Sequence, residues 1–315
     1  MTNLDDFLKG AGTVAIAGHI RPDGDCVGSC LATYNYIRTY YPQIAVDLYL
    51  EPIPNIFKFL ARSEEIKSEY PEGKRYDLFI ALDCGDTGRL GNAAGYFETA
   101  RKTVCVDHHI SNQSFADENY IFPKASSASE LIFDLLPKER LTKELAECLY
   151  TGIIHDTGVF RYSCTSKATM EKAGMLMELG IDYPKIIDDT FFAKTYEQNR
   201  IMGLALLKSK LHLDGKCISS IITEAEMKEY GVLPKHLDGI VSQLRVTKDV
   251  EVSIFLYETG DGSFKVSARS ASYVDVAAIA MKYGGGGHVR AAGCSVTGEP
   301  EDIVEKFVAE VAEQI

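Results

Sequence analysis

Residues 13–25 read TVAIAGHIRPDGD, and the fold turns on them. Val14 to His19 is a continuous apolar run closed by an imidazole, the pattern of a strand covered on both faces. From Asp25 to Tyr41 the periodicity becomes helical. A strand that feeds a helix through a short polar turn is the first step of a parallel α/β unit. Val46 to Leu50, Leu78 to Asp83 and Thr103 to Asp107 repeat the apolar run. Three of these strands end in polar groups: His19, Asp83, and Asp107-His108-His109. Ligands of open α/β sheets bind beyond the carboxyl ends of the strands, so three clusters point at one crevice.

Further along, Ser127–Leu136, Thr142–His155, Ser166–Gly180, Pro184–Ala193 and Tyr196–Leu211 read as helices. After Asp214-Gly215 strands return at Ile218–Ile222, Val250–Tyr257 and Phe264–Ala268, with helical signals at Val274–Met281 and Glu301–Ala312. The expected architecture is α/β: an N-terminal domain over residues 1–190 with a mainly parallel sheet flanked by helices, a helical connection over 191–212, and a smaller C-terminal α+β domain over 213–315.

The chain has 315 residues, with 33 Lys+Arg against 45 Asp+Glu and a net charge of -12. A surface this acidic repels a long polyanion, which argues against long double-stranded nucleic acid as a partner. Any phosphate site must be local. Eight cysteines lie scattered without a CxxC pair, several inside apolar runs, as expected of buried thiols in a reducing compartment. The N-terminus has no basic and apolar leader pattern, and no stretch approaches ~18 uninterrupted apolar residues. A cytoplasmic protein without membrane contact is expected.

Gly18 to Asp25 holds an H-x-x-x-D-x-D spacing, with His19, Asp23 and Asp25 in one tight loop. Such a mixed N/O set suits Mn²⁺ better than Mg²⁺ or Ca²⁺, which prefer oxygen alone. The bland alternative is a turn at Pro22-Asp23-Gly24 with Asp25 capping the next helix. Asp83 follows an apolar run and is placed to bridge two metals, or is an ordinary loop acid. Asp107-His108-His109 is more specific, because an acid and two imidazoles at a strand end have few structural uses.

Asp156 closes a helical run beside His155. The His155-Asp156 pair superficially matches HD-type phosphohydrolases, whose helical architecture does not fit the strand-end residues. A capping role is its alternative. Near the C-terminus, Gly284-Gly285-Gly286-Gly287-His288-Val289-Arg290 removes Cβ atoms where a phosphate would approach backbone N–H groups, with His288 and Arg290 to add charge. A plain glycine turn is the other reading.

In order, these motifs resemble the DHH/DHHA1 phosphoesterases, a superfamily that includes RecJ-type exonucleases, and the match spans nearly the whole chain. Within it, length and layout are most similar to small bacterial and archaeal oligoribonucleases that also act as pAp phosphatases, and to stand-alone cyclic-di-AMP or pApA phosphodiesterases. The resemblance implies two divalent ions, Mn²⁺ foremost: His19, Asp23 and Asp83 would hold one, and Asp25, Asp83, His108 and Asp156 the other. Asp83 would bridge them. Asp107 would orient an imidazole, and His109 would sit beside the scissile phosphate. In the C-terminal domain Ser267, Arg269, Gly286, Gly287 and His288 would grip the substrate, with Arg290 the least secure of the set.

The activity implied is hydrolysis of dinucleotides to about five-nucleotide RNA into mononucleotides, and of pAp to AMP. Cyclic dinucleotides are the main alternative substrate. A nucleotide-binding regulator without catalysis is disfavoured by the complete ligand set, and a processive nuclease by the lack of an OB-type domain or a basic aromatic stripe. A homodimer is compatible with this layout.

Overall fold

The computed structural model describes residues 3–260 and 262–315. The chain divides into two compact units between Ala193 and Lys194. The first is built on five strands, β1 (Thr13–Ala17), β2 (Ala45–Tyr49), β3 (Leu78–Leu82), β4 (Thr103–Asp107) and β5 (Glu118–Ile121), in the order β2-β1-β3-β4-β5. Every pairing is parallel. Strands β3 and β4 are buried along their whole length, which is why they read as unbroken apolar runs.

Its helices are α1 (Leu4–Leu8), α2 (Gly24–Tyr40), α3 (Ala94–Thr99), α4 (Ala128–Leu135), α5 (Lys143–Asp156), α6 (Lys167–Met177) and α7 (Tyr183–Ile187). Asp23 caps α2: its side chain accepts from the backbone N–H groups of Asp25 and Cys26 at 3.1 Å each. The capping role anticipated for Asp25 therefore belongs to Asp23 instead. Helix α2 is buried all round as far as Ile37, with Val27, Leu31 and Ile37 in the main core beside Leu149 and Ile153 of α5. The helix expected over Pro184–Ala193 stops early, and Asp188–Phe192 forms a wider turn with an Ala193 N–H to Asp188 O bond of 2.6 Å.

The second unit carries α8 (Tyr196–Leu207), β6 (Lys210–His212), β7 (Cys217–Ile222), α9 (Glu224–Glu229), α10 (Ile240–Arg245), β8 (Val252–Gly260), β9 (Ser263–Ser270), α11 (Val276–Lys282), β10 (Gly286–His288), β11 (Ala291–Thr297) and α12 (Pro300–Ala312). The strands make one mixed sheet in the order β10-β11-β9-β8-β7-β6. One face packs on α11 and α12 through Val252, Ile254, Val266, Ile279 and Phe307. The other packs on α8 and α10 through Ile218, Phe255, Ile201 and Leu244. Helix α8, read from sequence as part of a connection, is thus a wall of this unit, supplying Ile201 and Ala205 to its core.

The glycine run is not a free turn but part of a hairpin. Gly284 sits at φ +71, and a Cβ on Gly285 would lie 2.2 Å from Gly293 O, so the fold itself needs glycine at both. No helix among the described residues is long and apolar enough to cross a membrane.

Candidate metal centre

Three strand ends converge. Gly18 and His19 follow β1, Asp83 follows β3, and Asp107 closes β4 with His108 and His109 directly after it. Asp83 adopts φ 51, in the left-handed region that Asp and Asn tolerate better than most residues. Its N–H still bonds Val106 O at 3.1 Å, so the sheet holds the backbone while the side chain turns into the crevice.

Its carboxylate faces two ways. Oδ2 lies 3.4 Å from His19 Nε2, and Oδ1 lies 3.4 Å from His108 Nε2. On the first side, His19 Nε2 is also 3.6 Å from Asp23 Oδ2. On the second, His108 Nε2 is 3.0 Å from Asp156 Oδ2 and 3.8 Å from Asp25 Oδ2. Most of these separations are too long for hydrogen bonds. They match the spacing of about 3–3.6 Å between atoms that each sit about 2.0–2.2 Å from a shared cation.

Two further observations fit a cation. Asp83 is 2 % exposed, and among the described residues its Oδ1 has no hydrogen-bond partner; such an atom is costly to bury unless something charged meets it. The imidazoles also take up protons in place of an ion. Burial would push His19 down, but Asp23 and Asp83 outweigh it and raise it to about 11. His108 is raised to about 12 in the same way, against burial, by Asp156 and Asp83. Asp83 in turn is held well below the usual carboxylate range, the two imidazoles overcoming the effect of burial.

The supporting contacts orient the converging atoms. His19 Nδ1 lies 2.8 Å from Ile20 O and donates to it, which leaves Nε2 to face the acids, carrying a proton without an ion and offering its lone pair to a cation that displaces that proton. Asp25 is fully buried and accepts from the N–H groups of Ala128 at 2.6 Å and Ser129 at 2.9 Å, the first turn of α4. Even so, burial, with Asp83 and Asp156 nearby, lifts its pKa well above normal. Burial likewise raises Asp156.

His109 Nδ1 lies 2.7 Å from Asp107 Oδ1, and Asn112 Nδ2 donates to Asp107 Oδ2 at 2.7 Å. Asn112 escaped the sequence reading, because no spacing rule ties an Asn in a loop to the acid five positions earlier. His155 stays outside the cluster. Burial drives its pKa down to about 4, its ring packs on Phe57 and Phe191, and a Cβ on Gly24 would touch that ring at 2.3 Å.

Residues 13–153 match the DHH family, N-terminal domain, and residues 214–315 match the DHHA1 domain. The chain belongs to the DHH/DHHA1 family. The bifunctional oligoribonuclease and PAP phosphatase NrnA of Thermus thermophilus is 28% identical over 320 residues, covering 100% of this chain and 94% of that protein. The protein of the same description from Bacillus subtilis is 28% identical over 293 residues, covering 90% of this chain and 89% of its own. Among solved structures, an exopolyphosphatase-related protein from Bacteroides fragilis superposes with a TM-score of 0.87 at 25% identity, covering 98% of this chain and 94% of that one.

In the DHHA1 domain Ser267 and Arg269 lie two apart on β9, while their neighbours Val266 and Ala268 face the core. Across the sheet Ser267 pairs with Gly293, which pairs with Gly286; Arg269 pairs with Ala291, which pairs with His288. Ser267, Arg269, Gly286 and His288 therefore share one accessible face over a floor without side chains at Gly293 and Gly286. Gly287 faces away, and a Cβ there would lie 2.4 Å from Ala291 O, which makes it a packing glycine. Arg290 also departs from the group: it stands in the turn after β10, and its Nη1 donates to Val274 O at 2.8 Å, tying that turn to the segment before α11.

Proposed function

We propose that this DHH/DHHA1 chain is a two-metal phosphoesterase that hydrolyses short oligoribonucleotides to mononucleotides and pAp to AMP. The observation that carries the reading is the two-sided Asp83 carboxylate between His19 and His108. The names of the Thermus and Bacillus relatives supply the substrate class. His19, Asp23 and Asp83 would hold one divalent ion, Mn²⁺ by preference for a mixed N/O set, and Asp25, Asp83, His108 and Asp156 the other. When bound, such a pair supplies Lewis acidity to the phosphate oxygens and lowers the pKa of water. Its charge balances the four aspartates, which reconciles an acidic chain with an anionic substrate.

The chain's own residues do the rest. The Asp107 carboxylate fixes His109 through Nδ1 and raises its pKa, so His109 presents Nε2 as a proton donor towards a leaving oxygen. Asn112 keeps Asp107 from rotating away. Asp23, half exposed, marks the open side of the cluster from which a phosphate arrives. Ser267, Arg269 and His288 would bind the distal phosphate or base, with residues 1–190 as the catalytic domain and 213–315 as the substrate domain. Eight free cysteines, seven of them buried, suit a reducing cytoplasm.

The test is hydrolysis by metal-stripped protein restored with Mn²⁺, against pApA, a five-nucleotide RNA, pAp and cyclic di-AMP. Mononucleotides from the linear substrates and phosphate from pAp are expected, with no turnover before metal is added. Faster turnover of cyclic di-AMP than of every linear substrate would transfer the chain to second-messenger hydrolysis.

The substrate face gives a separate prediction. Gly286 has an ordinary φ and nothing within 4 Å of where its Cβ would stand, so Gly286→Ala leaves the fold unchanged. His288→Ala is equally harmless to packing, since His288 is exposed. Both variants are expected to raise KM for dinucleotides about 10-fold, His288→Ala by losing one charge-assisted contact and Gly286→Ala by putting a methyl where the substrate would lie, with kcat and bound metal nearly unchanged. Loss of metal from the His288 variant would remove it from the substrate face.

A further inference from the structure

A fourth donor, a sulfur, reaches the His19 side of the cluster. Cys26, in the first turn of α2, is fully buried, and its Sγ lies within 4.8 Å of ligand atoms of both His19 and Asp83. Room for the sulfur comes from Gly18, where a Cβ would stand 2.2 Å from Cys26 Sγ. Asp83, buried and facing His19 Nε2 through Oδ2 at 3.4 Å, is the acid of this group. Asp23, the remaining donor on this side, already spends Oδ1 on the cap of α2.

We infer that Cys26 is a conditional metal ligand: a thiophilic divalent ion (Co²⁺, Zn²⁺ or Cd²⁺) at the His19 side draws the sulfur into its ligand set, whereas Mn²⁺ is held by nitrogen and oxygen alone. The inference rests on reading the cluster as a metal site. Binding replaces the S–H bond by a metal–sulfur bond, and the thiol proton leaves to solvent. One nitrogen, one sulfur and the carboxylate oxygens of Asp83 and Asp23 suit a soft, four-coordinate ion, while the harder Mn²⁺ gains little from sulfur. The identity of the bound ion would therefore change the first coordination sphere, and with it how tightly that ion is kept.

The test uses the full chain stripped of metal and titrated with Co²⁺, read by absorption and by metal analysis. Wild type is expected to develop a near-ultraviolet sulfur-to-cobalt charge-transfer band, as is the Cys164→Ser control, since Cys164 is the one cysteine that is not buried. Cys26→Ala and Cys26→Ser, checked for native circular dichroism, are expected to bind Co²⁺ without the band and to release Zn²⁺ to a chelator at least about 10-fold faster. Co²⁺ bound by wild type without the band overturns the inference, as does a band that persists in both Cys26 variants. Failure of wild type to bind Co²⁺ at all overturns it too, and is distinguished by also removing the two-metal reading beneath it.

Discussion

Asp83→Asn is expected to lower hydrolysis of pApA and pAp by at least about 10³-fold, with the folded chain intact. Asn keeps the shape and the tolerance for φ 51 that Ala would lose, so the backbone turn after β3 stays unstrained. What disappears is one negative charge and one oxygen lone-pair set at the point where His19 and His108 meet. The two sides of the cluster would then have no common ligand, and a metal pair held there would lend less acidity to water. Removing a single preorganised donor from an active site already costs about 10²–10³ in rate, and a bridging ligand serves both ions at once. The carboxylate accepts no backbone hydrogen bond that an amide would break, which is why stability should change far less than rate. Stripped and reloaded protein should hold fewer than two Mn²⁺ per chain. Retained turnover with two bound ions would sink the bridging role of Asp83.

The candidate cluster was legible because most of its residues sit at strand ends. An apolar run that stops in His19, Asp83 or Asp107 announces both the strand and the polar group beyond it, and parallel strands must deliver those groups to one edge. Asp156 could be placed only through resemblance, since a helix end offers many directions to a side chain. The capping residue of α2 was off by two positions, because Asp23 and Asp25 have the same chemistry and only the chain's path selects between them. Asp25 itself is used by the N–H groups of α4 about a hundred residues on, a pairing that no local pattern encodes.

Short elements were harder to read. β5 is half exposed and carries polar residues, and β10 consists of two glycines and a histidine. Their strand character comes from pairing with β4 and β11, not from intrinsic propensity. The glycine run read as room for a phosphate to approach the backbone, whereas most of the close approach there is to the chain's own β11. Only Gly286 is left free of a structural demand, which is what makes it a usable probe of the substrate face.

The largest stability effect should come from one glycine that lets two helices meet. A Cβ on Gly28 of α2 would lie 2.5 Å from Cys148 O and 3.0 Å from Gly152 N, both backbone atoms of α5. Neither atom can rotate away, so α2 and α5 must separate. Gly28→Ala is therefore expected to destabilise the first unit by about 3 kcal/mol, the upper part of the range for overpacking a close-packed interior. For a unit of this size that is a fall in melting temperature of about 6–12 °C. The separation also reaches the metal centre, because Asp25 rides on α2 and Asp156 ends α5. Metal affinity should drop with stability, and excess Mn²⁺ should recover part of the lost melting temperature. Gly174→Ala is the matched control: Gly174 lies inside α6 with nothing within 4 Å of its Cβ position, so the same methyl should stabilise the helix by about 0.5–1 kcal/mol. Equal effects at the two positions would mean that the contact between α2 and α5 yields, and that the spacing of Asp25 and Asp156 is set elsewhere.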